Sequence, residues 1–100
     1  MTHNLPSARA LECSMGNGFD EILITIDRDF EKGQWVLGVT GLRHTAWEVV
    51  AGFVKEHRHH TLNQAKEQGR EYWRKYARKG FTTRYTREQT PHPPKIRRAA

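Results

Sequence analysis

Apolar and polar residues alternate with a period of two in the first half of the chain. The apolar positions of the two clearest segments are Ile22, Ile24 and Ile26, followed by Trp35, Leu37 and Val39. Such alternation, rich in β-branched residues, is typical of half-buried strands. Between the two segments, Gly33 can supply the left-handed residue of a tight connection. The pattern therefore predicts two strands joined by a hairpin.

Residues 46–56 fit two different periods. A period of two runs through Trp47, Val49, Ala51 and Phe53, whereas Ala46, Trp47, Val50 and Val54 have helical spacing. Gly52 and the three valines favour a third strand, because these residue types have low helix propensity. Residues 81–87 alternate enough to predict a short fourth strand. Strands so close in sequence predict an antiparallel meander.

The clearest element is a helix over Thr61–Lys79. Thr61 and Gln64 have the spacing of a capping box, and Gly80 suits the position after the last turn. One side of this helix carries Leu62, Ala65, Gly69, Tyr72, Trp73 and Tyr76. We expect this aromatic side to pack on the sheet, because apolar residues at such spacing usually form a core.

These patterns predict one α+β domain over residues 16–88. Its fold class is a small antiparallel three- to four-stranded meander with one long amphipathic helix packed on one face. Residues 1–15 are predicted as a short helix beginning near Pro6 or as a loose arm. Residues 89–100 contain three prolines and are mostly polar or basic, so we expect a disordered basic tail.

Charge is distributed unevenly along the chain. Residues 1–56 contain five basic and eight acidic side chains, a net charge of −3, whereas residues 57–100 contain twelve and three, a net charge of +9. The whole chain has 100 residues and a formal charge of +6. This asymmetry indicates that the second half contacts a polyanion. The alternative is an ordinary solvated charged surface.

A stripe of cations runs along the predicted helix, because basic residues recur there at every fourth position. The candidate binding residues are Lys66, Arg70, Arg74, Lys75, Arg78, Lys79, Arg84, Tyr85 and Arg87. Cations at this spacing can follow a phosphate backbone or an acidic protein surface, and an exposed Tyr85 can stack on a base. A solvated helix face is the alternative interpretation.

Two other groups suggest chemistry less strongly. His57–His60 lacks the spacing of a zinc motif, and the carboxylates Asp27, Asp29 and Glu31 alternate along one strand face, where they could hold Mg²⁺ for phosphodiester cleavage. Carboxylates beside a hairpin turn are more often a solvated edge. Neither a nucleophilic triad nor a glycine-rich phosphate loop is evident. We therefore predict a protein that is not an enzyme and binds no metal or cofactor.

The chain contains no run of the roughly 18 apolar residues that a membrane span needs. Its first residues, Met1–Asn4, are not the basic start of a signal peptide. A single cysteine, Cys13, excludes an internal disulfide framework. We expect a cytoplasmic protein that does not contact membranes.

The predicted order of a helix, three strands and a second helix is similar to that of double-stranded-RNA-binding domains, whose last helix carries a basic cluster. The corresponding helix here opens Thr61-Leu62-Asn63-Gln64-Ala65-Lys66 and lacks that family's run of lysines. A meander followed by a Thr-Leu-x-x-Ala helix is also similar to the antitoxin half of some toxin–antitoxin pairs. Neither resemblance assigns the chain to a family, since one order of elements serves many functions.

Two functions follow from these observations. The first is a small non-enzymatic nucleic-acid-binding module that contacts phosphates through the helix stripe and the basic tail. The alternative is a phage- or plasmid-type inhibitor or adaptor, such as an anti-defence protein or an antitoxin, which binds a host protein or ribonucleoprotein. The expected partner is therefore a nucleic acid or the acidic surface of a protein or ribonucleoprotein.

Overall fold

Five strands and one helix make up the computed structural model, which describes residues 5–94. The elements are β1 Arg9–Asn17, β2 Asp20–Asp29, β3 Gln34–His44, β4 Val49–His59, α1 Leu62–Arg78 and β5 Thr82–Glu88. All paired strands are antiparallel, and their order across the sheet is β4-β3-β2-β1-β5. The α+β class is confirmed.

The prediction of a simple meander with three or four strands was wrong. The first four strands follow one another across the sheet, but β5 returns past α1 and pairs with β1 at the far side. This order also differs from that of double-stranded-RNA-binding domains, because no helix precedes the sheet within residues 5–94.

The interior strand β1 lies where the sequence predicted a short helix or a loose arm. Leu11, Cys13 and Met15 line the side that faces α1, and Cys13 and Met15 are buried. Cysteine, methionine and serine carry little β-propensity, so this strand owes its conformation to its neighbours β2 and β5. Residues 1–4 of the predicted arm lie outside the described residues.

The prediction of the helix is confirmed at both ends. The Thr61 hydroxyl accepts the backbone N–H of Gln64 at 3.1 Å, and the Gln64 side chain accepts the N–H of Thr61 at 3.2 Å. This reciprocal pair is the expected capping box. Gly80 follows the helix with φ +92°, which suits glycine. The strand interpretation of residues 46–56 is also confirmed, as β4.

The core lies between α1 and one face of the sheet. Its fully or nearly fully buried side chains include Met15, Ile22, Ile24, Ile26, Leu37, Val39, Ala65 and Tyr76. Ala65 and Gly69 face the sheet, and a Cβ on Gly69 would be in ordinary van der Waals contact with Leu37 Cδ1 at 3.6 Å. The helix packs over β2, β3 and β4 and leaves the β1–β5 side of this face less covered.

Trp73 does not belong to this core, although the sequence placed it on the buried side. It is 41% exposed, and its indole N–H donates to Thr83 Oγ1 at 2.7 Å. Because Ala65, Gly69 and Tyr76 point straight at the sheet, Trp73 lies on the flank of α1 that faces β5. There it closes one side of a cavity of about 150 Å³.

Residues 89–92, where a disordered tail was predicted, are held against the start of β1 and the segment before it. The Gln89 backbone N–H donates to the Ala10 carbonyl at 3.0 Å, and the His92 N–H donates to the Ser7 carbonyl at 2.8 Å. The rest of the predicted tail, residues 95–100, lies outside the described residues. Among residues 5–94, no helix has the length and apolar character that a membrane span requires.

We predict that Leu37→Ala lowers the free energy of unfolding by about 2–5 kcal/mol, because it opens a cavity at a fully buried position. Phe19→Ala is the control, since Phe19 is 77% exposed, and it should change stability by no more than about 0.5 kcal/mol. Chemical denaturation measures both. Equal losses in the two variants would contradict the assignment of Leu37 to the core.

Candidate nucleic-acid interface

The exposed side of α1 carries a group of cations that we call the helix cation surface. It consists of Arg70, Arg74, Lys75, Arg78 and Lys79, all of which are exposed. Arg70, Arg74 and Arg78 lie away from the side that is occupied by the buried residues Ala65, Gly69 and Tyr76. Lys75 and Lys79 lie on the flank of α1 beside the Tyr76 ring. Lys66 differs from them: it is half-buried, and its Nζ lies 3.6 Å from the Glu88 carboxylate.

The arginines of β1 to β4 differ from the exposed cations of α1 in whether a neighbouring side chain engages them. In β1 to β4 the arginines are engaged: Arg9 with Glu12 and Asp27, Arg43 with Asp20, Arg58 with Asp29 and Glu56, and Arg28 over the Trp35 ring. Within residues 5–94, none of the five side chains of the helix cation surface has an acidic partner within 4.0 Å. Their charge is therefore free to act on a ligand.

Positive charge concentrates at the C-terminal end of α1. The helix contains two acidic residues, Glu67 and Glu71, and both precede Tyr72. The stretch from Tyr72 to the C-cap at Lys79 contains four cations and no acid. Part of this bias also stabilises the helix itself, because cations offset the negative end of its dipole.

Tyrosine rings hold the two lysines of this surface. Lys75 Nζ and Lys79 Nζ lie 5.6 Å and 5.5 Å from the centre of the Tyr76 ring. These distances are within the range of cation–π attraction. Such contacts restrict where the ammonium groups can lie and leave them accessible to solvent.

The structure separates three of the predicted binding residues from the rest. Tyr85 and Arg87 lie opposite Ser14 and Glu12 of β1, on the sheet face that points away from α1. The strand bulges at Arg84, whose guanidinium lies over Gly16 on the same face, in space that a Cβ on Gly16 would occupy. The sequence grouped these residues with the helix cations, but the sheet lies between the two sets.

Tyr85 is not the exposed aromatic residue that the sequence suggested. It is half-buried, its hydroxyl donates to Glu12 Oε2 at 3.0 Å, and Arg87 lies 4.5 Å from the centre of its ring. Burial raises the pKa of the Tyr85 phenol, and the hydrogen bond to Glu12 raises it further. Arg87 therefore covers one face of the ring, and the hydroxyl is bound to Glu12.

Sequence reasoning missed a polar network on this open face. The Ser14 hydroxyl donates to Glu21 Oε2, and Glu21 Oε1 lies 2.7 Å from His44 Nε2. Burial raises the pKa of Glu21, but the hydrogen bonds with Ser14 and His44 together outweigh it, and the net pKa lies below the ordinary value. The carboxylate, and not the imidazole, contacts the serine, so this is not the arrangement that activates a nucleophile. No local pattern signals this network, because its three residues lie on the different strands β1, β2 and β3.

Two of the three carboxylates considered for a metal site, Asp27 and Asp29, have protein partners instead. Asp27 pairs with Arg9, while Asp29 accepts the backbone N–H groups of Glu31 and Lys32 and binds Arg58. The Lys32 and Arg58 hydrogen bonds hold the pKa of Asp29 below its ordinary value. In the described part of the chain, no three histidine, cysteine or acidic side chains are grouped as metal ligands would be.

Comparisons with known proteins do not extend this picture: no protein-family model matches the chain, and no similar curated protein or solved structure is found. The interpretation therefore depends on the surface itself. Its main feature is the contrast between the engaged arginines of β1 to β4 and the five exposed cations of α1, which have no acidic partner within residues 5–94. Arg84 and Arg87 of β5 also have no acidic partner in this part of the chain, but they lie on the face of the sheet that points away from α1.

We predict that Ser14→Ala raises the pKa of Glu21, because it removes a hydrogen bond to the carboxylate. In the parent protein this pKa lies below the unfolded value of about 4.3, so ionised Glu21 stabilises the fold above that pH and the stabilisation is lost as the pH falls through the folded pKa. The variant should therefore unfold at a higher pH on acidification. Carboxyl NMR titration measures the pKa, and Ser7→Ala at an exposed position is the control. A Glu21 titration identical in both variants would exclude this role of Ser14.

Proposed function

We propose that this protein is a small nucleic-acid-binding module that contacts phosphates through the helix cation surface. The observation that carries the proposal is the lack of acidic partners for these five exposed cations within residues 5–94. A cation that is not already paired can neutralise a phosphate and release a condensed counterion. This release is the main source of sequence-independent affinity for nucleic acids.

The spacing along α1 suits a phosphate backbone. Arg70, Arg74 and Arg78 are four residues apart, so successive Cα atoms rise by about 6 Å along the helix axis. Duplex DNA presents one negative charge per about 1.7 Å of its axis, so a row of this length meets several phosphates. The three side chains can thus engage one nucleic acid together.

Binding through this surface is expected to be independent of base sequence. Phosphate contacts position a protein, whereas base-edge contacts specify a sequence. The helix cation surface consists of long, exposed arginines and lysines, and it carries no polar side chain that neighbouring residues hold in a base-reading geometry. We therefore propose contact with the backbone of DNA or RNA. An acidic protein surface, the partner expected of an inhibitor or adaptor, offers carboxylates to the same cations and is separated from nucleic acid by the experiment below.

We predict that Arg74→Ala with Arg78→Ala weakens binding to unrelated nucleic-acid sequences by similar factors. Two lost phosphate contacts should reduce the slope of log K against log salt by about 1.8 for duplex DNA. The matched control is Arg84→Ala with Arg87→Ala, which removes the same charge from the opposite face of the sheet. Fluorescence anisotropy with labelled duplex DNA and single-stranded RNA, at several salt concentrations, measures both.

The control variant should bind with the parent's salt slope. A reduced slope in the control alone would assign the contact to the open face of the sheet instead. A parent protein that binds neither probe at low salt would contradict the proposal. Binding to an acidic protein that depends on Arg74 and Arg78 would then support the inhibitor or adaptor function.

A further inference from the structure

The edge strand β4 exposes an apolar segment. Its outer backbone groups have no strand partner within residues 5–94, because β4 is the first strand of the sheet. The exposed fractions are 55% for Val49, 44% for Val50, 37% for Phe53 and 68% for Val54, and Trp47, in the turn before β4, is 94% exposed. A long edge strand of this kind is a template for pairing with another chain. Contiguous exposed apolar residues mark an interaction site, whereas isolated ones do not.

The opposite edge of the sheet is different. The strand β5 is shorter, and threonine and charged residues make up most of it. Its one large aromatic residue, Tyr85, is half-buried and bonded to Glu12. Charged side chains of this kind discourage edge-to-edge pairing. Of the two edges of the sheet, β4 is therefore the one suited to pairing with a partner.

We propose that β4 pairs with β4 of a second copy of this chain, antiparallel and around a two-fold axis. The two sheets would then continue into one another across the dimer. An interface of this kind is isologous, so the strand has to be complementary to itself. The apolar segment of β4 meets this requirement. The register of β4 with β3 shows on which face of the sheet each of its side chains lies.

The side chains of this segment divide cleanly between the two faces of the sheet. Phe53 points to the α1 side, where its ring stacks with Tyr76 at 6.4 Å between centres. Val50 lies on the same face, and together with Phe53 and Tyr76 it lines a depression beside α1. Val49 and Val54 occupy the opposite face, since the strand bulges by one residue between them.

One register keeps every side chain on its own face. It places Val50 opposite the partner's Phe53 and Val49 opposite the partner's Val54, so that apolar residues meet on both faces. This register also places the bulge at Gly52 of one strand beside the bulge of the partner strand. Because both strands then have one extra residue at the same place, the pairs on either side of the bulges stay in step. A slip by one residue would put these side chains on opposite faces.

Charge selects the same register. Glu48, which directly precedes β4, falls opposite the partner's Lys55, and the two-fold axis repeats this pair of opposite charges. Pairing through the polar end of the strand, centred on Lys55, would instead place two Lys55 side chains opposite each other. Directly opposed like charges destabilise a pair of strands, whereas opposite charges stabilise it.

This pairing does not depend on nucleic-acid binding, and it is tested without nucleic acid. Sedimentation equilibrium of the full chain over a dilution series should show a monomer–dimer equilibrium. Glu48→Lys and Lys55→Glu should each weaken dimerisation by about tenfold, because each puts like charges together twice. The double variant Glu48→Lys with Lys55→Glu should restore the parent's dissociation constant. Circular dichroism shows whether each variant is folded.

One further variant tests the apolar contacts of β4. Its control introduces a lysine at an exposed position outside β4. Val54→Lys should abolish the dimer, whereas Phe19→Lys, at an exposed position in the β1–β2 turn, should leave it unchanged. A parent that stays monomeric throughout the dilution series would overturn the proposal. A dimer that persists in folded Val54→Lys, or a double charge swap that fails to restore it, would also overturn it. A different protein bound to the β4 edge of a monomer would assign that edge to another partner.

Discussion

One helix of 17 residues has to cover the apolar face of a five-stranded sheet, and this constraint explains most of the molecule. The helix packs over β2, β3 and β4 through its smallest residues, Ala65 and Gly69, which fixes its rotation about its own axis. That rotation turns the cations outward and leaves Trp73 on one flank. The uncovered part of the sheet is bridged by two contacts, from Trp73 to Thr83 and from Lys66 to Glu88.

The same rotation links the fold to the proposed binding. If α1 turned to bury Trp73, the arginine row would move towards the sheet, and burial of unpaired guanidinium groups is unfavourable. In the sheet the situation is reversed, since the arginines of β1 to β4 bind neighbouring carboxylates or an aromatic ring. Acidic side chains of the first half, such as Asp20, Asp27 and Asp29, are thus bound by arginines of the sheet, whereas the exposed cations of α1 have no such partner within residues 5–94.

Local patterns predicted the elements that local chemistry determines. The helix from Thr61 was found because a capping box and a glycine mark its two ends, and β2 and β3 were found because isoleucine and valine alternate there. The strand β1 was missed because Cys13, Ser14 and Met15 have no strong preference for a strand. Its conformation depends on pairing with β5, which is distant in sequence: Gly16 of β1 pairs with Thr82, 66 residues later in the chain.

The candidate site was predictable only in part, for a related reason. The sequence identifies every basic residue, but it does not show which ones have acidic partners or on which face of β5 they lie. Lys66 is engaged by Glu88, and Arg84 lies across the sheet from the helix because β5 bulges there. Both facts depend on the pairing of distant strands, which no local pattern of residues reports.

The pairing of β5 with β1 also has a consequence for how the chain folds. Each of the strands β1, β2 and β3 is joined to the next strand by a hairpin. These four strands can therefore associate early through contacts between residues that are close in sequence. The last strand pairs with the first, and this step needs the closure of a loop that contains nearly the whole domain. Until α1 and β5 are in place, Ile22, Ile24 and Ile26 are exposed to solvent. The slowest step of folding is therefore expected to be the arrival of the C-terminal segment, and the incomplete meander is the species most prone to aggregation.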